Sequence, residues 1–491
     1  MEESFDVVVV GGGPVGLWLA CELRLGGLDV AVIERREERI LQSRAGTLHC
    51  RTLEMFDLRG LADRFLASGK RLPAWHYGML DTRLDFSPLD SRFPHALRIP
   101  QATTEKIVKE RAAELGVVYL GGHNVEAIRQ DHAGVTVEGV KDHKPFRLTA
   151  SYLVGCDGAR SLTRQQAGIG FSGHEATHTW LLGDVMLDLP DAKSMLTVYN
   201  EHGGIMIAPP GEDGRRRIVA TTPDENDLSL LRQETTLDDL ARVTRRVLGS
   251  DYNMRDPFWL SRFSNETRLA DHYRSGRILL AGDATHVHLP AGGQGMNIGL
   301  QDAFNLGWKL AAVVKGEADE SLLDSYEAER RPIGEQLHDN TLTQNVLMTA
   351  FTHGGLGLRK MVSDCMAFPA VNEKLAAQIS GFSHCYDDVG AMRAFSDVPC
   401  PASTTGTAST GIRAPDRSFR QADGSEVFVH ELLASGRWVH LSFEPGATVP
   451  LADALPEEAV IRVRSSERPQ KFFEGAAAVL IRPDGYSAGV V

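Results

Sequence analysis

Three glycines near the start of the chain have the spacing of a phosphate-binding turn. Gly11, Gly13 and Gly16 follow the apolar run "FDVVVV" in the pattern G-x-G-x-x-G. After a buried strand, this spacing allows a tight turn, a close approach of the backbone to a diphosphate, and a helix whose N-terminus attracts the anion. Glu34 follows eighteen residues after Gly16, where a carboxylate can hold a ribose diol. The pattern predicts dinucleotide binding but does not distinguish NAD from FAD.

A second glycine-rich stretch, "GDATHVHLPAGGQGMN" (282–297), lies nearly three hundred residues later. The preceding run 277–281 predicts a buried strand, and apolar residues at helical spacing predict a long helix from about Gly295. Asp283, at the end of a strand, can hold a polyhydroxylated chain, and the glycines can present N–H groups at a helix start to a flat, electron-rich ring. A ligand that touches both loops is long and carries a polyol near its middle, which favours FAD over NAD.

The chain resembles the group A flavoprotein monooxygenases, which are single-component FAD-dependent aromatic hydroxylases. The resemblance rests on three ordered motifs: the first glycine pattern, "CDGARS" (156–161) and "GDATHVHLPAGGQGMN". It spans about residues 4–340, with a weaker similarity in the tail, and is strongest to the branch of polyketide hydroxylases and rifampicin monooxygenases. The fold it implies is α/β, with a Rossmann-like FAD-binding domain of the para-hydroxybenzoate hydroxylase type, an inserted antiparallel-sheet substrate domain and a C-terminal thioredoxin-like domain.

The predicted domain bounds follow changes in the pattern of apolar and turn-forming residues along the sequence. They are 1–175 and 270–390 for the FAD-binding domain with long helices at its end, 176–269 for the substrate-binding sheet, and 391–491 for the thioredoxin-like domain. Short apolar or alternating runs between Pro, Gly and Asp favour antiparallel strands in the middle unit. Residues 320–380 have a helical pattern that we expect to be interrupted at Pro332. The tail has no C-x-x-C pair, which favours packing or dimerisation over dithiol chemistry, so a homodimer is an open expectation.

The resemblance also implies which residues contact the cofactor. The set is Gly11, Gly13, Val15, Gly16, Glu34, Arg35, Arg44, Gln101, Val125, Asp157, Gly158, Asp283, Gly293, Gly295, Met296 and Asn297. Within it, the implied places are Glu34 on the adenosine ribose, Arg35 and Val125 at the adenine, Arg44 and Gln101 along the ribityl and flavin portion, Asp157 and Gly158 near both FAD and the nicotinamide cofactor, and Asp283 on a ribityl hydroxyl. The second loop is expected to face the pyrimidine edge of the flavin.

Other residues with reactive side chains have simpler interpretations. His286 and His288 are two residues apart, but no further ligand-type residue lies at metal spacing, so we expect loop histidines and no metal. His49 and Arg51 either orient a phenolate or lie on an ordinary helix surface. A further set of apolar residues either lines a substrate pocket or forms plain core, with core favoured; the set is Trp180, Leu182, Met186, Met206 and Ile207.

The composition limits the classes of partner and location. The chain has 491 residues, of which 42% are hydrophobic and 24% charged, as in a globular protein of several structural units. A formal net charge of -13 argues against a nucleic-acid partner. The longest apolar stretches fall short of the roughly 20 residues of a membrane span, and the acidic start lacks the basic region of an export signal. We therefore expect a cytoplasmic protein.

The activity implied by the resemblance is hydroxylation of a bulky, polycyclic aromatic substrate of polyketide type. NADPH or NADH reduces FAD, O₂ adds at the flavin C4a position, and the resulting hydroperoxide transfers one oxygen atom. A Baeyer–Villiger insertion, an epoxidation or the oxidative inactivation of an antibiotic stays open, as does a non-catalytic flavin-binding protein. The sequence identifies no general base, and the predicted flavin-facing positions next to the reacting ring are Pro290, Gly292 and Gly293.

Overall fold

The computed structural model describes residues 2–38, 45–189, 195–211, 213–386, 410–421, 424–465 and 473–491. Up to residue 175 its elements are β1 Glu2–Val10, α1 Pro14–Leu25, β2 Val30–Glu34, β3 Thr47–Leu48, α2 Cys50–Asp57, α3 Ala62–Ser68, β4 Lys70–Leu72, β5 Ala74–Trp75, β6 Leu84–Asp85, β7 Ala96–Arg98, α4 Gln101–Glu114, β8 Val118–Gly121, β9 Asn124–Gln130, β10 Val135–Lys141, β11 Lys144–Gly155, α5 Leu162–Gln166 and β12 Phe171–His174. The next elements are β13 Thr179–Met186, β14 Leu196–Asn200, β15 Gly203–Ile207, β16 Arg216–Thr221, α6 Leu237–Leu248, β17 Arg255–Ser264 and β18 Thr267–Ala270. The remainder are β19 Arg274–Ser275, β20 Ile278–Leu280, β21 His286–Val287, α7 Gly295–Val314, α8 Asp324–Met348, α9 His353–Cys365, α10 Pro369–Ser380, β22 Ser418–Arg420, β23 Glu426–Phe428, α11 Val429–Leu433, β24 Trp438–Ser442, α12 Pro450–Ala454, β25 Val460–Arg464, β26 Ala478–Ile481 and β27 Ser487–Val490.

The largest sheet is parallel at its centre. β20, β11, β1, β2 and β8 pair in that order as parallel neighbours, while β19 pairs antiparallel with β20 and the β9–β10 hairpin extends antiparallel from β11. Val7, Val8 and Val9 of β1 are fully buried, as the uninterrupted apolar run predicts for a central parallel strand. Pro14 occupies the first turn of α1, where its fixed φ and missing N–H cost no hydrogen bond.

The middle of the chain forms a separate antiparallel sheet, as the sequence predicts. Its strand order is β14-β15-β16-β13-β17, and all four pairings are antiparallel. Helix α6 covers one face of this sheet, since Leu240 and Val243 share a buried cluster with Leu181 and Ile205. The other face of the sheet is left to pack against the unit that carries the glycine loops.

The long helices agree with the prediction at α7, which begins at Gly295, but not at α8. We expected an interruption at Pro332, whereas α8 continues through it. The proline removes only the hydrogen bond to the carbonyl of Ala328, and Arg330 and Ile333 beside it are at most 2% exposed. Burial on the same helix face therefore outweighs one lost bond. Within the described ranges, no helix is both long enough and apolar enough to cross a bilayer.

The C-terminal unit contains a mixed sheet in the order β25-β24-β26-β27. β24 pairs parallel with β25, and the other two pairings are antiparallel, which agrees with the expected thioredoxin-like arrangement. Val439 of β24 and Val479 of β26 belong to the same buried cluster as Leu19 of α1 and Leu306 of α7. The C-terminal unit thus shares a core with the first sheet unit, and the domain bounds given above stay a prediction.

Candidate active site

The predicted motifs follow adjacent strands of the parallel sheet. The loops after β20, β11, β1 and β2 leave the carboxyl ends of these strands side by side. Backbone bonds tie each loop to its neighbour, as from Cys156 N to Val10 O (2.7 Å) and from Gly11 N to Ile33 O (2.8 Å). In open α/β sheets, ligands bind at this edge. Segments that are far apart in sequence therefore form one continuous rim.

The three glycines of the first motif have different surroundings. A Cβ on Gly11, whose φ is +113°, would lie 2.3 Å from the carbonyl oxygen of Cys156, and a Cβ on Gly16 would lie 2.0 Å from the carbonyl oxygen of Gly11. A Cβ on Gly13 would meet nothing within 4 Å. Gly11 and Gly16 therefore allow close packing inside the protein, whereas Gly13 leaves open space at the N-terminus of α1. That space suits a diphosphate, which the first-turn N–H groups attract.

Val15 brings the two glycine-rich loops into contact. A Cβ on Gly299, in the second turn of α7, would lie 2.8 Å from Cγ2 of Val15 and 3.0 Å from Cα of Gly282. A Cβ on Gly282 would lie 3.1 Å from Cγ2 of Val15. The absence of side chains on these two glycines lets α1 approach α7 and the second loop closely. The N-termini of α1 and α7 consequently lie near each other at the same rim.

Glu34 is held in place at the end of β2. Its Oε2 accepts a hydrogen bond from Gly12 N (2.9 Å), and its Oε1 accepts one from Arg36 N (3.0 Å). Each carboxylate oxygen has a second lone pair, so the group can still accept hydrogen bonds from two ribose hydroxyls. Arg35 is exposed next to it, and Val125 is partly buried on the neighbouring strand β9. These positions agree with an adenosine end of the rim near β2.

At two other predicted positions, Gln101 and Asp157, the side chain hydrogen-bonds to the protein itself. Gln101 is the first residue of α4, and its Oε1 accepts from Ala45 N at 3.1 Å, so it holds the segment next to Arg44, which lies outside the described residues. Asp157 is turned into α5, where it accepts from Ser161 Oγ and Thr163 N. This carboxylate therefore caps a helix, and the predicted cofactor contact at 157–158 stays a prediction.

The second loop turns sharply before α7. Gly292 and Gly293 have φ values of +71° and +69°, which favour glycine, and Pro290 and Asp283 are exposed. The first intrahelical bond runs from Ile298 N to the residue before the helix. The N–H groups of Gly295, Met296 and Asn297 therefore lie in the first turn, which lacks helical acceptors. A planar ring edge with two acceptors fits such a row of donors.

Side chains from distant elements hold this loop. The carbonyl of Gly292 accepts from His49 Nε2 at 2.8 Å and from Trp75 Nε1 at 2.9 Å. Asn297 Nδ2 donates to Thr47 O and Gly293 O, and its Oδ1 accepts from His49 N at 2.8 Å. The Asn297 side chain is therefore fully engaged with protein backbone. The side chain therefore positions the loop.

His49 does not lie on an exposed helix surface, which was one of its two expected locations. It is fully buried as the N-cap of α2, and burial lowers its pKa to about 4. The neutral ring therefore carries its proton on Nε2 at pH 7, and Nδ1 has no partner in the described structure. Arg51 is buried as well, at 1% exposed. The hydrogen bond from His49 to the Gly292 carbonyl was not among the roles expected for this residue.

A chain of side-chain amides supports the loop from behind and was missed in the sequence. Gln294 Nε2 donates to Asn340 Oδ1 at 2.9 Å, and Gln344 Nε2 donates to the same oxygen at 2.7 Å. Gln344 Oε1 in turn accepts from Gly78 N at 2.9 Å. All three amides are buried. They connect the second loop to residues 77–80, and no spacing in the sequence indicates this link.

The side chains of the two loop histidines, His286 and His288, hydrogen-bond to other groups of the protein. His286 Nε2 bonds to Asp302 Oδ2 at 2.8 Å, and Asp302 also pairs with Arg330. His288 is bonded through Nδ1 to the Leu289 carbonyl, and burial lowers its pKa to about 3. Elsewhere, among the described residues, one group has three ligand-type side chains, namely Asp57, Asp416 and His430. Arg92 pairs with both of its carboxylates, so this group is an ion-pair network.

The middle sheet presents one apolar face to the second loop. Trp180 and partly buried Met206 cluster with Leu289 and Ala291 of that loop. Ile207 belongs to the opposite face, under α6. Strand alternation thus places Trp180 and Met206 on one face of the sheet and Ile207 on the other. The face toward the loop consists of Trp180, Tyr199, Met206, Val219 and Phe263, and its Trp180 Nε1 is buried with no partner in the described part of the chain.

Met79 closes this apolar cluster in an unusual conformation. It has a φ of 51°, which costs a side-chain-bearing residue about 1–3 kcal/mol, and is 3% exposed. Tyr199 donates its hydroxyl to Sδ of Met79 at 3.2 Å, and Arg359 donates to the Met79 carbonyl at 2.7 Å while its guanidinium lies 3.6 Å from the Tyr199 ring centre. Burial raises the pKa of Tyr199, so its phenol stays a hydrogen-bond donor.

Comparison with known proteins agrees with this geometry. A family model described as an FAD binding domain matches residues 4–341, and one described as the C-terminal part of aromatic-ring hydroxylases matches residues 407–489. The chain is 41% identical to the uncharacterized aromatic compound monooxygenase YhjG of Bacillus subtilis, over 100% of this chain and 95% of that protein. It is 36% identical to a rifampicin monooxygenase of Rhodococcus hoagii, over 99% of this chain and 95% of that protein.

A solved structure extends the similarity to the whole fold. The OxyS anhydrotetracycline hydroxylase of Streptomyces rimosus superposes with a TM-score of 0.86 at 37% identity, covering 99% of this chain and 96% of that one. Both the glycine-loop unit and the C-terminal unit are included in that coverage. The chain therefore belongs to the FAD-dependent aromatic monooxygenases of the para-hydroxybenzoate hydroxylase fold.

Proposed function

We propose that this protein uses NADPH or NADH, FAD and O₂ to hydroxylate a bulky polycyclic aromatic substrate of polyketide type. The observation that carries the proposal is the convergence of the two glycine-rich loops at Val15, with two helix N-termini at one rim. The apolar face of the middle sheet opposite the second loop supports an aromatic substrate. The relatives named for rifampicin and anhydrotetracycline support a large ring system.

In this proposal the chain holds FAD along the rim. The N-terminus of α1 at Gly13 binds the diphosphate, Glu34 the ribose, Asp283 a ribityl hydroxyl, and the first turn of α7 the pyrimidine edge. Bound FAD would supply the oxygen-transfer chemistry after its reduction, by way of a C4a-hydroperoxide. The α7 N-terminus stabilises negative charge on the ring edge. The apolar cluster that contains Trp180 and Met79 excludes water from the reacting face of the flavin.

The test is a substrate screen on the purified protein. Its flavin content is measured first, followed by NADPH and NADH oxidation with tetracyclines, anthracyclines, angucyclines, rifamycins and simple phenols. We expect a yellow protein, substrate-stimulated oxidation, and a product heavier by one oxygen atom with its rings intact. Ring opening or expansion would indicate a Baeyer–Villiger reaction. A firmly bound flavin with NADPH and NADH oxidation that no substrate stimulates would instead support a non-catalytic flavin-binding protein.

A further inference from the structure

The tip of the C-terminal hairpin is buried in the unit that carries the glycine loops. Residues 482–485 (Arg-Pro-Asp-Gly) connect β26 to β27, and Arg482 and Asp484 are 2% and 1% exposed. Arg482 makes two bonds to the carboxylate of Glu329 in α8, at 2.7 and 2.8 Å. Asp484 accepts from Trp308 Nε1 of α7 at 3.1 Å. Charged turn residues are ordinarily exposed, so the tip is an inserted element.

The backbone of the tip also contacts both ends of α2. The carbonyl of Asp484 accepts from Arg51 Nη2 at 2.8 Å, near the start of the helix. The carbonyl of Pro483 accepts from Arg59 Nη2 at 3.0 Å, just beyond its end. Arg51 and Arg59 are 1% and 6% exposed. The two arginines are eight positions apart, Arg51 in the first turn of α2 and Arg59 two residues beyond its last residue.

The Arg51 end of α2 leads to the flavin-facing loop. Its N-cap, His49, bonds through Nε2 to the Gly292 carbonyl and through its backbone N to Asn297. Arg51 follows two residues later, and its guanidinium lies 4.8 Å from the ring centre of Tyr486, next to the tip. The path from Asp484 to Gly292 therefore needs only Arg51 and His49. At the other end, Arg59 pairs with Glu22 of α1.

We infer that the hairpin tip 482–485 positions the flavin-facing loop, and that Arg51 is the positioning residue that transmits this effect to His49. The C-terminal unit then contributes to FAD affinity without touching the cofactor. The inference rests on the proposed function, since it requires the ring of FAD to lie against residues 290–297. Because energetic coupling between two sites is reciprocal, FAD binding must also stabilise the tip.

Two matched variants test the inference. Arg51→Met removes the bond to the tip, while Glu54 keeps Arg413 as its partner at 2.7 Å. Arg59→Met removes the other bond to the tip and leaves Glu22, 4% exposed, buried without its cation, so it should lower the melting temperature more. From flavin fluorescence quenching we expect the FAD Kd to rise about tenfold in Arg51→Met and to stay within about threefold of wild type in Arg59→Met.

The results separate positioning from a general loss of stability. If FAD affinity simply followed stability, Arg59→Met would show the larger effect, and that outcome would overturn the inference. A normal FAD Kd in Arg51→Met would overturn it too, while the proposed function would stand. A wild-type protein that takes up no FAD would overturn the proposed function and the inference together.

Hydrogen exchange on the wild-type protein gives a second measurement that needs no variant to fold. FAD should slow exchange of the amides in 482–487 and 49–53 as well as in 290–298. Protection restricted to 290–298 and the first glycine loop would contradict coupling to the tip. As a second perturbation, Gly485→Ala places a Cβ 3.0 Å from Leu58 Cδ1 at a φ of +78°, which shifts the tip while keeping every charge. We expect it to raise the FAD Kd in the same direction as Arg51→Met.

Discussion

The two glycine-rich loops reach the same rim but are constructed differently. The loop at Gly11–Gly16 depends on contacts with its own strand and the adjacent turn, where a Cβ would meet backbone atoms at 2.0–2.3 Å. The loop at Pro290–Asn297 is held by hydrogen bonds to distant elements, with Trp75 donating to it across 217 residues and Asn297 donating from it across 250. The first loop is thus determined by backbone sterics, and the second by a hydrogen-bond network.

This difference predicts how each loop fails. A loop determined by close backbone packing tolerates no added atom, because main-chain neighbours cannot move aside. A loop held by hydrogen bonds tolerates no missing partner, because the partners left behind are buried and unsatisfied. The first should therefore respond to an enlarged glycine, and the second to truncation or protonation of the side chains that hold it.

The largest effect should come from Gly16→Ala. Its Cβ would lie 2.0 Å from the Gly11 carbonyl oxygen, and we expect a loss of about 3 kcal/mol in the free energy of unfolding together with loss of bound FAD. Gly13→Ala is the matched control, since its Cβ meets no atom within 4 Å. It should leave the stability of the apoprotein unchanged and weaken FAD binding. Urea unfolding and FAD titration measure both quantities; equal destabilisation by the two variants would contradict the steric account.

Asn297→Ala should have the next largest effect. It removes three hydrogen bonds to backbone groups, which should cost about 2–3 kcal/mol of stability. Asn372→Ala is the control, because Asn372 also makes three bonds to backbone, with Arg83, Met366 and Asp85, away from the loops. Both variants should unfold at a lower urea concentration than the wild type, but only Asn297→Ala should weaken FAD binding. Equal FAD affinity in the two would show that the network does not position the loop.

Acid should affect the second loop through His49. Burial lowers the pKa of His49 to about 4, so below about pH 6.5 the unfolded chain binds a proton that the folded chain does not. Stability is therefore lost as pH falls from about 6.5 toward 4. Between pH 8 and pH 5 the wild type should lose about 2 kcal/mol more than His49→Gln, as measured by urea unfolding at each pH. Identical pH profiles would remove His49 from this account.

The smallest effect on the fold should come from Asp283→Ala. The residue is exposed, so the change in unfolding free energy should stay within about 0.5 kcal/mol. Its proposed contact with a ribityl hydroxyl predicts an FAD Kd that is about tenfold higher. Fluorescence titration and urea unfolding separate the two effects. Unchanged FAD affinity would show that the second loop contacts the cofactor through backbone alone.

The first loop could be predicted from sequence because its glycine spacing, strand and helix lie within one short stretch, although the Cys156 carbonyl that excludes a Cβ at Gly11 could not be. Gly11, Gly13 and Gly16 shape a turn of six residues, and the start of α7 at Gly295 follows from helical spacing in the next few turns. The antiparallel middle sheet was also predicted from short alternating runs. Pro332 was misjudged because the local rule against proline competes with burial of the surrounding helix face, and burial is visible only after folding.

The sequence by itself therefore determined the order of the elements, the glycine turn after β1 and the family of the chain. Only the tertiary structure decided that His49 and Trp75 share the Gly292 carbonyl, that Asn297 serves the loop with its side chain, and that the 482–485 tip lies under α2. A glycine spacing within one turn leaves a readable pattern, whereas a hydrogen bond between residues more than two hundred positions apart depends on how whole elements pack.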